Sequence, residues 1–351
     1  EGGQLAVMVS WVDDILALGH PEDVERMKSD LEATFDCKCG GELTEYVGNK
    51  IDVVKLSDGR KQVKFTQPVL VQKLEDKFDL PQGAASRTPA VAGQVLLRGD
   101  GSGTVEGQLA TLYRSGTASL MHMMQWSRPE ISNTVRDLSR QMSAPRESHL
   151  KALYTAMKHV VATRKRGLLL SPCRVWNSDD DFEFNIHGRS DSDYATNSDD
   201  RRSISGGRVF IEGAPAVFRS ATQKFVTLSV TEAEGAAGVM TAQDMLYSCR
   251  LLESVGLKVK KPMLLEMDNK GAVDLANNFS VGGRTRHVDV RKYFLRELKE
   301  QGLLEIKHVM GVENDADIFT KNTAIAIFEK HIPNYVGHDE YMKRDDTPGP
   351  E

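Results

Sequence analysis

Residues 184–195 of this chain read F-N-I-H-G-R-S-D-S-D-Y-A. From Phe184 to Arg189 apolar or small residues alternate with polar ones, and this period predicts a half-buried β-strand. The predicted strand ends at Asp191, where an acid-rich turn begins, so we expect the Asp191 carboxylate to be exposed at a sheet edge. An acid there is either ordinary turn chemistry or a ligand, and this stretch alone leaves both open.

The pattern after this stretch places short strands first and longer helices later. Such an order predicts an α/β (α+β) domain, a mixed sheet with helices on its faces, over residues 184–334. The predicted strands are 208–212, 216–219, 262–267 and 304–309, and the predicted helices are 231–255, 287–301, a short one after Asp268 and a last one from about Asp315.

Three further carboxylates lie near the ends of these predicted elements. Glu234 lies one turn into a helix, Asp268 follows a buried strand, and Asp317 lies near the start of the last helix. Each has a structural alternative. A capping box can join Thr231 to Glu234, although Ser229 and Glu232 fit it equally well. Asp268 or the next residue can cap a helix, and the helix dipole favours an acid at 317.

Read together, Asp191, Glu234, Asp268 and Asp317 predict a site for two divalent metal ions, because one loop cannot surround two ions. Carboxylates suit Mg²⁺, with Mn²⁺ as a second choice. Clustered acids without metal would repel and raise one another's pKa. No His or Cys set has the spacing of a zinc site, which disfavours an unrelated metal hydrolase.

The bulk numbers are compatible with nucleic-acid binding without requiring it. The chain has 351 residues, 40% hydrophobic and 27% charged, with a net charge of −5. Residues 1–60 carry a net charge of −7 and residues 108–168 a net charge of +7. A basic segment can track a phosphate backbone, and it can equally be a solvated helix face. No apolar run is long enough to span a bilayer.

The four cysteines are too few and too irregularly spaced for a disulfide framework. They are Cys37, Cys39, Cys173 and Cys249. We therefore expect free thiols.

The first half of the chain predicts a hairpin, a helix, two short strands and several further helices. Leu5 to Leu18 reads as two strands around V-D-D, with Asp13 and Asp14 at the tip. A basic run, Arg164 to Arg166, is expected in the last turn of a helix. The predicted divisions are 1–81, a connector with helices over 82–170, a linker at 171–183, the α/β domain at 184–334, and a disordered tail at 335–351.

Residues 185–322 resemble the RNase H domain of copia-type LTR retrotransposons. The matching stretches occur in the family order at similar spacing. They are SDSDYA, DDRRSISGGRVFIEG, TLSVTEAEGAA, MDNKGAVDLANN, RTRHVDVRKYFLRE and DADIFTK. Upstream, VSWVDDILALG resembles the palm hairpin of the family's reverse transcriptase, and the helices resemble its thumb-connection region.

The resemblance implies a function for each group of residues. The four acids would be catalytic and would bind two Mg²⁺ ions that cut the RNA strand of RNA–DNA hybrids. Asp13 and Asp14 would be a remnant of the polymerase motif. Four residues would contact the hybrid: Arg201, Arg202, Arg286 and His287, with Ser203 beside the first two.

The resemblance also implies missing partners. Because the chain starts at Glu1, we expect it to be a fragment that lacks the integrase and polymerase-fingers segments of a Pol polyprotein. DNA polymerase activity is then expected only in the full-length parent. An inactive, nucleic-acid-binding relic of a retroelement remains the alternative to an active nuclease.

Overall fold

The computed structural model describes residues 5–38, 40–41, 43–81, 83–176, 181–277 and 290–337, with side chains from 293 onward in the last range. The chain opens on an antiparallel hairpin of β1 (Val7–Trp11) and β2 (Asp14–Leu18), in which Trp11 pairs with Asp14. Helix α1 (Pro21–Thr34) follows and buries no residue fully. The predicted hairpin and helix are both present.

A small sheet comes next, made of β3 (Glu45–Tyr46), β4 (Asn49–Lys55) and β5 (Lys61–Thr66). Helix α2 (Pro68–Phe78) starts directly after it with a proline in its first turn, where the absent N–H needs no partner. Val71, Leu74 and Phe78 are buried, so one stripe of this helix faces a core.

The helical core forms where α2 meets three further helices: α3 (Gly107–Trp126), α4 (Ser132–Ser139) and α5 (Glu147–Ala162). A 3₁₀ turn at 129–131 leads into α4. The apolar faces of these helices lie in this core, whose fully buried members include Tyr113, Leu120, Met123, Ile131, Leu138, Leu153, Met157 and Val160.

Two features after α5 differ from the sequence-based expectation. The helix ends at Ala162, so the basic run Arg164 to Arg166 lies beyond its last turn, and Arg166 is buried. A strand, β6 (Leu168–Leu170), then pairs antiparallel with β5 and completes a sheet of order β3-β4-β5-β6. Its three leucines give no alternation from which a strand could be predicted.

The connector, residues 83–106, forms no helix or strand in its described residues. It is nevertheless packed, because Ala90, Leu96 and Val105 are buried. The Leu96 amide donates to Asp137 Oδ2 at 2.9 Å, and the side chain of Gln141 donates to the Leu96 carbonyl at 3.0 Å. The connector therefore belongs to the folded body rather than to a free loop.

The α/β domain starts with β7 (Glu183–Phe184), β8 (Ile186–Asp193), β9 (Ile204–Ile211) and β10 (Ala214–Thr222). Strands β8, β9 and β10 are consecutive antiparallel neighbours. The long helix α6 (Val230–Ser254) crosses β8 and β9. This close approach needs small residues at the contact, since a Cβ added to Gly188 would collide with Met245.

The rest of the domain is β11 (Lys258–Val259), β12 (Met263–Met267), α7 (Lys270–Asn277), α8 (Val290–Glu300) and β13 (Leu304–His308). Strand β12 lies parallel to both β8 and β13, giving the sheet order β10-β9-β8-β12-β13. The predicted mixed sheet with flanking helices is thus confirmed, and β8 is its central strand.

The predicted last helix is divided into shorter pieces. Residues 315–319 form a 3₁₀ turn, followed by α9 (Ile325–His331) and α10 (Pro333–Val336). Tyr335 and Val336 are buried and pack with Phe319, so ordered chain continues past the predicted tail boundary at 334. The remainder of that tail, 338–351, lies outside the described residues.

Within the described residues, the helices include none long and apolar enough to cross a bilayer. Cys37, Cys173 and Cys249 are free thiols, as expected, and Cys39 lies outside the described residues.

Candidate metal centre

Asp191 lies inside the central strand β8, which runs on to Asp193. Its side chain is 1% exposed, so the expectation of an exposed carboxylate at a sheet edge was wrong. Strands β9 and β12 lie on either side of β8, so Asp191 is in a central strand and not in an edge strand. This strand order cannot be read from local alternation. A buried acid in a central strand needs a partner more than an exposed one does.

Glu234 projects from the first turns of α6 and is 4% exposed. The cap of this helix is Ser229, whose side chain accepts from the Glu232 amide, while Glu232 Oε2 accepts from the Leu228 amide at 2.8 Å. The capping interactions thus use Glu232 and leave Glu234 available. Among the described residues, Glu234 Oε2 has no hydrogen-bond donor. Burial, and then the charges of Asp191 and Asp268, raise the pKa of Glu234 to about 9.

Asp268 follows the end of β12 and is half-buried. The capping interaction at α7 is made by Asn269, whose side chain accepts from the Ala272 amide at 2.9 Å. Asp268 is therefore not needed as a cap. Burial and the neighbouring Asp191 raise its pKa, while a hydrogen bond with Asn314 partly offsets them.

Asp191, Glu234 and Asp268 come together in one pocket. Each offers an oxygen within 4.8 Å of the corresponding oxygens of the other two. Two strands of the sheet and one helix hold the three side chains, so their spacing is set by the core of the domain. The sequence distance of 77 residues between Asp191 and Asp268 is closed by the parallel pairing of β8 with β12.

The fourth predicted acid, Asp317, lies near Asp191 but is not part of the compact group of three. Lys321 bridges the two, with its Nζ 3.3 Å from Asp191 Oδ2 and 3.2 Å from Asp317 Oδ1. Burial and the charge of Asp191 raise the pKa of Asp317 to about 7, against the lowering effect of Lys321. Asp191, Glu234 and Asp268 thus form a compact cluster, and Lys321 links Asp317 to Asp191.

The cluster has the chemistry of a divalent-metal site. Carboxylate oxygens are the ligands that hard cations prefer. Glu234 Oε2 is buried without a donor, and a cation would satisfy it. The raised pKa values of Glu234, Asp268 and Asp317 mark a cluster that lacks enough positive charge. The residues therefore fit a metal ion.

Sequence reasoning missed the residues that surround Asp191. Thr320 donates a hydrogen bond to Asp191 Oδ2, Lys321 forms the bridge described above, and Asn314 donates to the Ser190 carbonyl at 2.9 Å. A signal was available for the lysine, because Asp317 and Lys321 have the i, i+4 spacing of an ion pair. Nothing local to the sequence indicates the other two contacts.

Of the five residues expected to contact nucleic acid, three are described. Arg201 and Arg202 are exposed on the loop 194–203, between the end of β8 and the start of β9. Ser203 is fully buried and shares a hydrogen bond of 2.8 Å with Thr227, so its expected phosphate contact is not available. Arg286 and His287 lie outside the described residues.

Asp13 and Asp14 lie at the turn of the hairpin β1–β2, and both are exposed. Asp14 Oδ2 accepts a hydrogen bond of 3.0 Å from the Val47 amide, which ties the hairpin to the first sheet. The acidic pair is therefore present at the predicted tip, in a solvent-facing setting unlike that of the α/β domain.

The sheet order and the helix that crosses it define a mixed α/β fold, and the acid cluster lies on its central strand and the neighbouring elements. No family model matches the chain. It is 29% identical over 319 residues to the retrovirus-related Pol polyprotein from transposon TNT 1-94 of Nicotiana tabacum, covering 90% of this chain and 23% of that protein. It is 28% identical over 329 residues to the corresponding protein from transposon RE1 of Arabidopsis thaliana, covering 93% and 21%.

These relatives confirm the resemblance to retrotransposon Pol polyproteins, and the chain spans about a fifth of their length. Among solved structures, LC11-RNase H1, isolated from compost by a metagenomic approach, overlaps 40% of this chain and 96% of its own. That overlap has 19% identity and a TM-score of 0.30.

Proposed function

We propose that this chain is part of a copia-type retrotransposon reverse transcriptase/ribonuclease H, and that residues 184–334 cut the RNA strand of RNA–DNA hybrids. The observation that carries the proposal is the buried cluster of Asp191, Glu234 and Asp268, with ligand oxygens within 4.8 Å of one another. Buried carboxylates this close repel one another, so their charges would strongly destabilise the fold if no divalent cation were bound.

The acids divide into two sets around Asp191. Asp191, Glu234 and Asp268 would hold one Mg²⁺ or Mn²⁺ ion, and Asp191 with Asp317 would hold a second. Such ions, when bound, lower the pKa of an attacking water and stabilise charge on the entering and leaving oxygens. Lys321 supplies positive charge between Asp191 and Asp317 when no second ion is there.

Recognition of the hybrid would come from basic groups near the carboxyl end of β8. Arg201 and Arg202 lie on the loop that follows the strand bearing Asp191, and both are exposed. Contacts of this kind go to phosphates and position the substrate without reading its sequence. Arg286 and His287 are proposed for the same role on the strength of the sequence resemblance.

The first half of the chain is proposed to be a polymerase remnant. The hairpin β1–β2 with Asp13 and Asp14, and the sheet β3–β6, would belong to the palm, while α3 to α5 would belong to the thumb-connection region. RNA-directed DNA polymerase activity is proposed for the full-length parent.

The test is incubation of the protein with a labelled RNA–DNA hybrid in the presence of Mg²⁺. We expect endonucleolytic cleavage of the RNA strand that EDTA abolishes and that Asp268→Asn removes. Asp274→Asn, an exposed acid on α7, is the matched control and should cleave normally. Cleavage that survives both EDTA and Asp268→Asn would contradict the proposal.

An inactive nucleic-acid-binding relic is the second candidate. It is favoured by Lys321, which neutralises part of the charge of Asp191 and Asp317 without any metal. Tight hybrid binding with no cleavage at any Mg²⁺ or Mn²⁺ concentration would support the relic over the nuclease.

A further inference from the structure

Asn322 joins the α/β domain to the helical region, which here means the connector and helices α3 to α5 (residues 83–162). Its side-chain Nδ2 donates to the Gln94 carbonyl at 2.7 Å, and its own carbonyl accepts from the Gly93 amide at 2.8 Å. Its Oδ1 accepts from Asn133 Nδ2 at 3.0 Å and from Thr134 Oγ1 at 3.3 Å. All four partners lie in the connector or in α4, about 190 to 230 residues earlier in the chain.

The residues just before Asn322 are those that surround Asp191. Thr320 donates to Asp191, and Lys321 bridges Asp191 to Asp317. The amides of Thr320 and Lys321 both donate to the Asp317 carbonyl, at 3.1 and 3.0 Å, so residues 317–321 form one tight turn. Through Asn322, residues outside the domain hold the end of that turn.

The same helical region also holds the loop that carries Arg201 and Arg202. Arg140 forms an ion pair of 2.9 Å with Asp200, and the Arg98 amide donates to Asp199 Oδ2 at 2.8 Å. The turn 317–321 and the loop 194–203 are thus both held by the helical region. The compact cluster on β8, β12 and α6 is instead fastened by the domain's own core.

We propose that the helical region positions the fourth acid through Asn322, which makes Asn322 and its partner Asn133 positioning residues. The inference rests on the proposed nuclease function for its catalytic readout. Losing the junction would loosen Asp317 and Lys321 while leaving Asp191, Glu234 and Asp268 in place. The first metal position would remain, and the one that uses Asp317 would weaken.

The experiment changes the junction from both sides, with Asn322→Ala and Asn133→Ala in the full chain. Asn277→Ala is the control, because Asn277 is another half-buried amide that donates to a carbonyl, at 3.1 Å from Ile306 O, away from the junction. Amide hydrogen exchange is measured on the metal-free proteins, and hybrid cleavage is measured against Mg²⁺ concentration.

In both junction variants, exchange of the amides at 317–322 should be about tenfold faster, while that of β12 is unchanged. The Mg²⁺ concentration for half-maximal cleavage should rise, and kcat should fall, each by about tenfold, with the KM for hybrid changed less than about twofold. The control should show neither effect. If these asparagines only stabilised the fold, amide exchange and the cleavage parameters would change by similar amounts in all three variants.

Unchanged exchange at 317–322 in both junction variants would overturn the proposal, and so would an equal loss in Asn277→Ala. If the wild-type protein cleaves no hybrid, the proposed function fails. The exchange measurement still tests whether Asn322 and Asn133 hold residues 317–322 in that case, because it requires no turnover.

Discussion

Two buried glutamates in this protein have opposite surroundings. Glu130, in the helical region, is 1% exposed, and its Oε1 accepts from Arg128 Nε at 2.6 Å. Burial alone would raise its pKa, but the charge of Arg128 and the neighbouring His159 lower the pKa of Glu130 to about 2. Glu234, in the α/β domain, is 4% exposed and surrounded by acids, and its pKa is raised to about 9.

Glu130 is therefore an acid whose charge stabilises the fold, whereas the charge of Glu234 destabilises the fold when no cation is bound. The interactions around Glu130 come from within the chain, so its charge is compensated as soon as the helices pack. Glu234 lacks that compensation until a cation arrives. Strongly perturbed carboxylates of this second kind are typical of functional sites.

The largest expected effect comes from removing the charge of Glu234. Metal ions contribute several kcal/mol to transition-state stabilisation, and about 1.4 kcal/mol is a factor of ten in rate. Glu234→Gln should therefore lower the cleavage rate by about a thousandfold or more, measured with a labelled hybrid at saturating Mg²⁺. Glu232→Gln, two residues away on the same helix and half-buried, is the control and should stay within a few-fold of the wild type.

Breaking the pair at Glu130 should affect stability rather than chemistry. Arg128→Met leaves a buried carboxylate without its main countercharge, which typically destabilises by about 3–5 kcal/mol. Urea unfolding measures this loss. Arg140→Met, which breaks the more exposed pair with Asp200, should lose no more than about 1 kcal/mol. Equal losses in the two variants would mean that Glu130 is not the compensated acid described above.

The two glutamates should also control opposite ends of the pH–stability curve of the metal-free protein. The folded pKa of Glu130 is lowered from 4.5 to about 2, so its contribution is present above pH 4.5 and is lost as pH falls toward 2. The folded pKa of Glu234 is raised to about 9, so its contribution is present below pH 4.5 and is lost as pH rises through 9.

We expect the alkaline loss to be several kcal/mol, to be smaller in Glu234→Gln, where Asp268 and Asp317 still contribute, and to disappear on adding Mg²⁺. Urea unfolding in EDTA at a series of pH values measures it. An alkaline limb that is as steep in Glu234→Gln as in the wild type would show that the uncompensated charge lies elsewhere.

The smallest effect is expected at the exposed basic loop. Arg201→Ala with Arg202→Ala should weaken hybrid binding similarly for all sequences and reduce the slope of log affinity against log salt by about 2. Lys260→Ala is the control, because Lys260 is an exposed cation whose amide donates to Phe184 O in the separate two-stranded sheet β7–β11. A slope that is unchanged in the double variant would remove Arg201 and Arg202 from the proposed contact surface.

Much of the α/β domain could be predicted from local pattern. Alternation from Phe184 and the apolar runs before Asp268 and Val309 gave strands that the structure contains. The capping signal at Ser229 and Glu232 was also correct, and it left Glu234 available for the pocket. These features are local, so the sequence expresses them within a few residues.

The parts that could not be predicted depend on distant contacts. The burial of Asp191 follows from α6 and the segment 315–321 packing against its strand, which no local period encodes. Strand β6 forms because β5 offers an edge about 100 residues away. The contacts of Thr320 and Asn322 join segments more than 120 residues apart, so their roles were invisible before the fold was known.

The bond between Asn322 and Gln94 has a consequence for how the protein is made. The two residues are separated by 228 positions, and ribosomes add roughly 5–20 residues per second. The connector therefore waits roughly 10–50 s for its partner after it leaves the exit tunnel. During that interval the polar groups of Gly93, Gln94 and Asn133 have only water or a chaperone to satisfy them. Nascent chains arrested before residue 322 should thus be more sensitive to protease at the connector than the released protein.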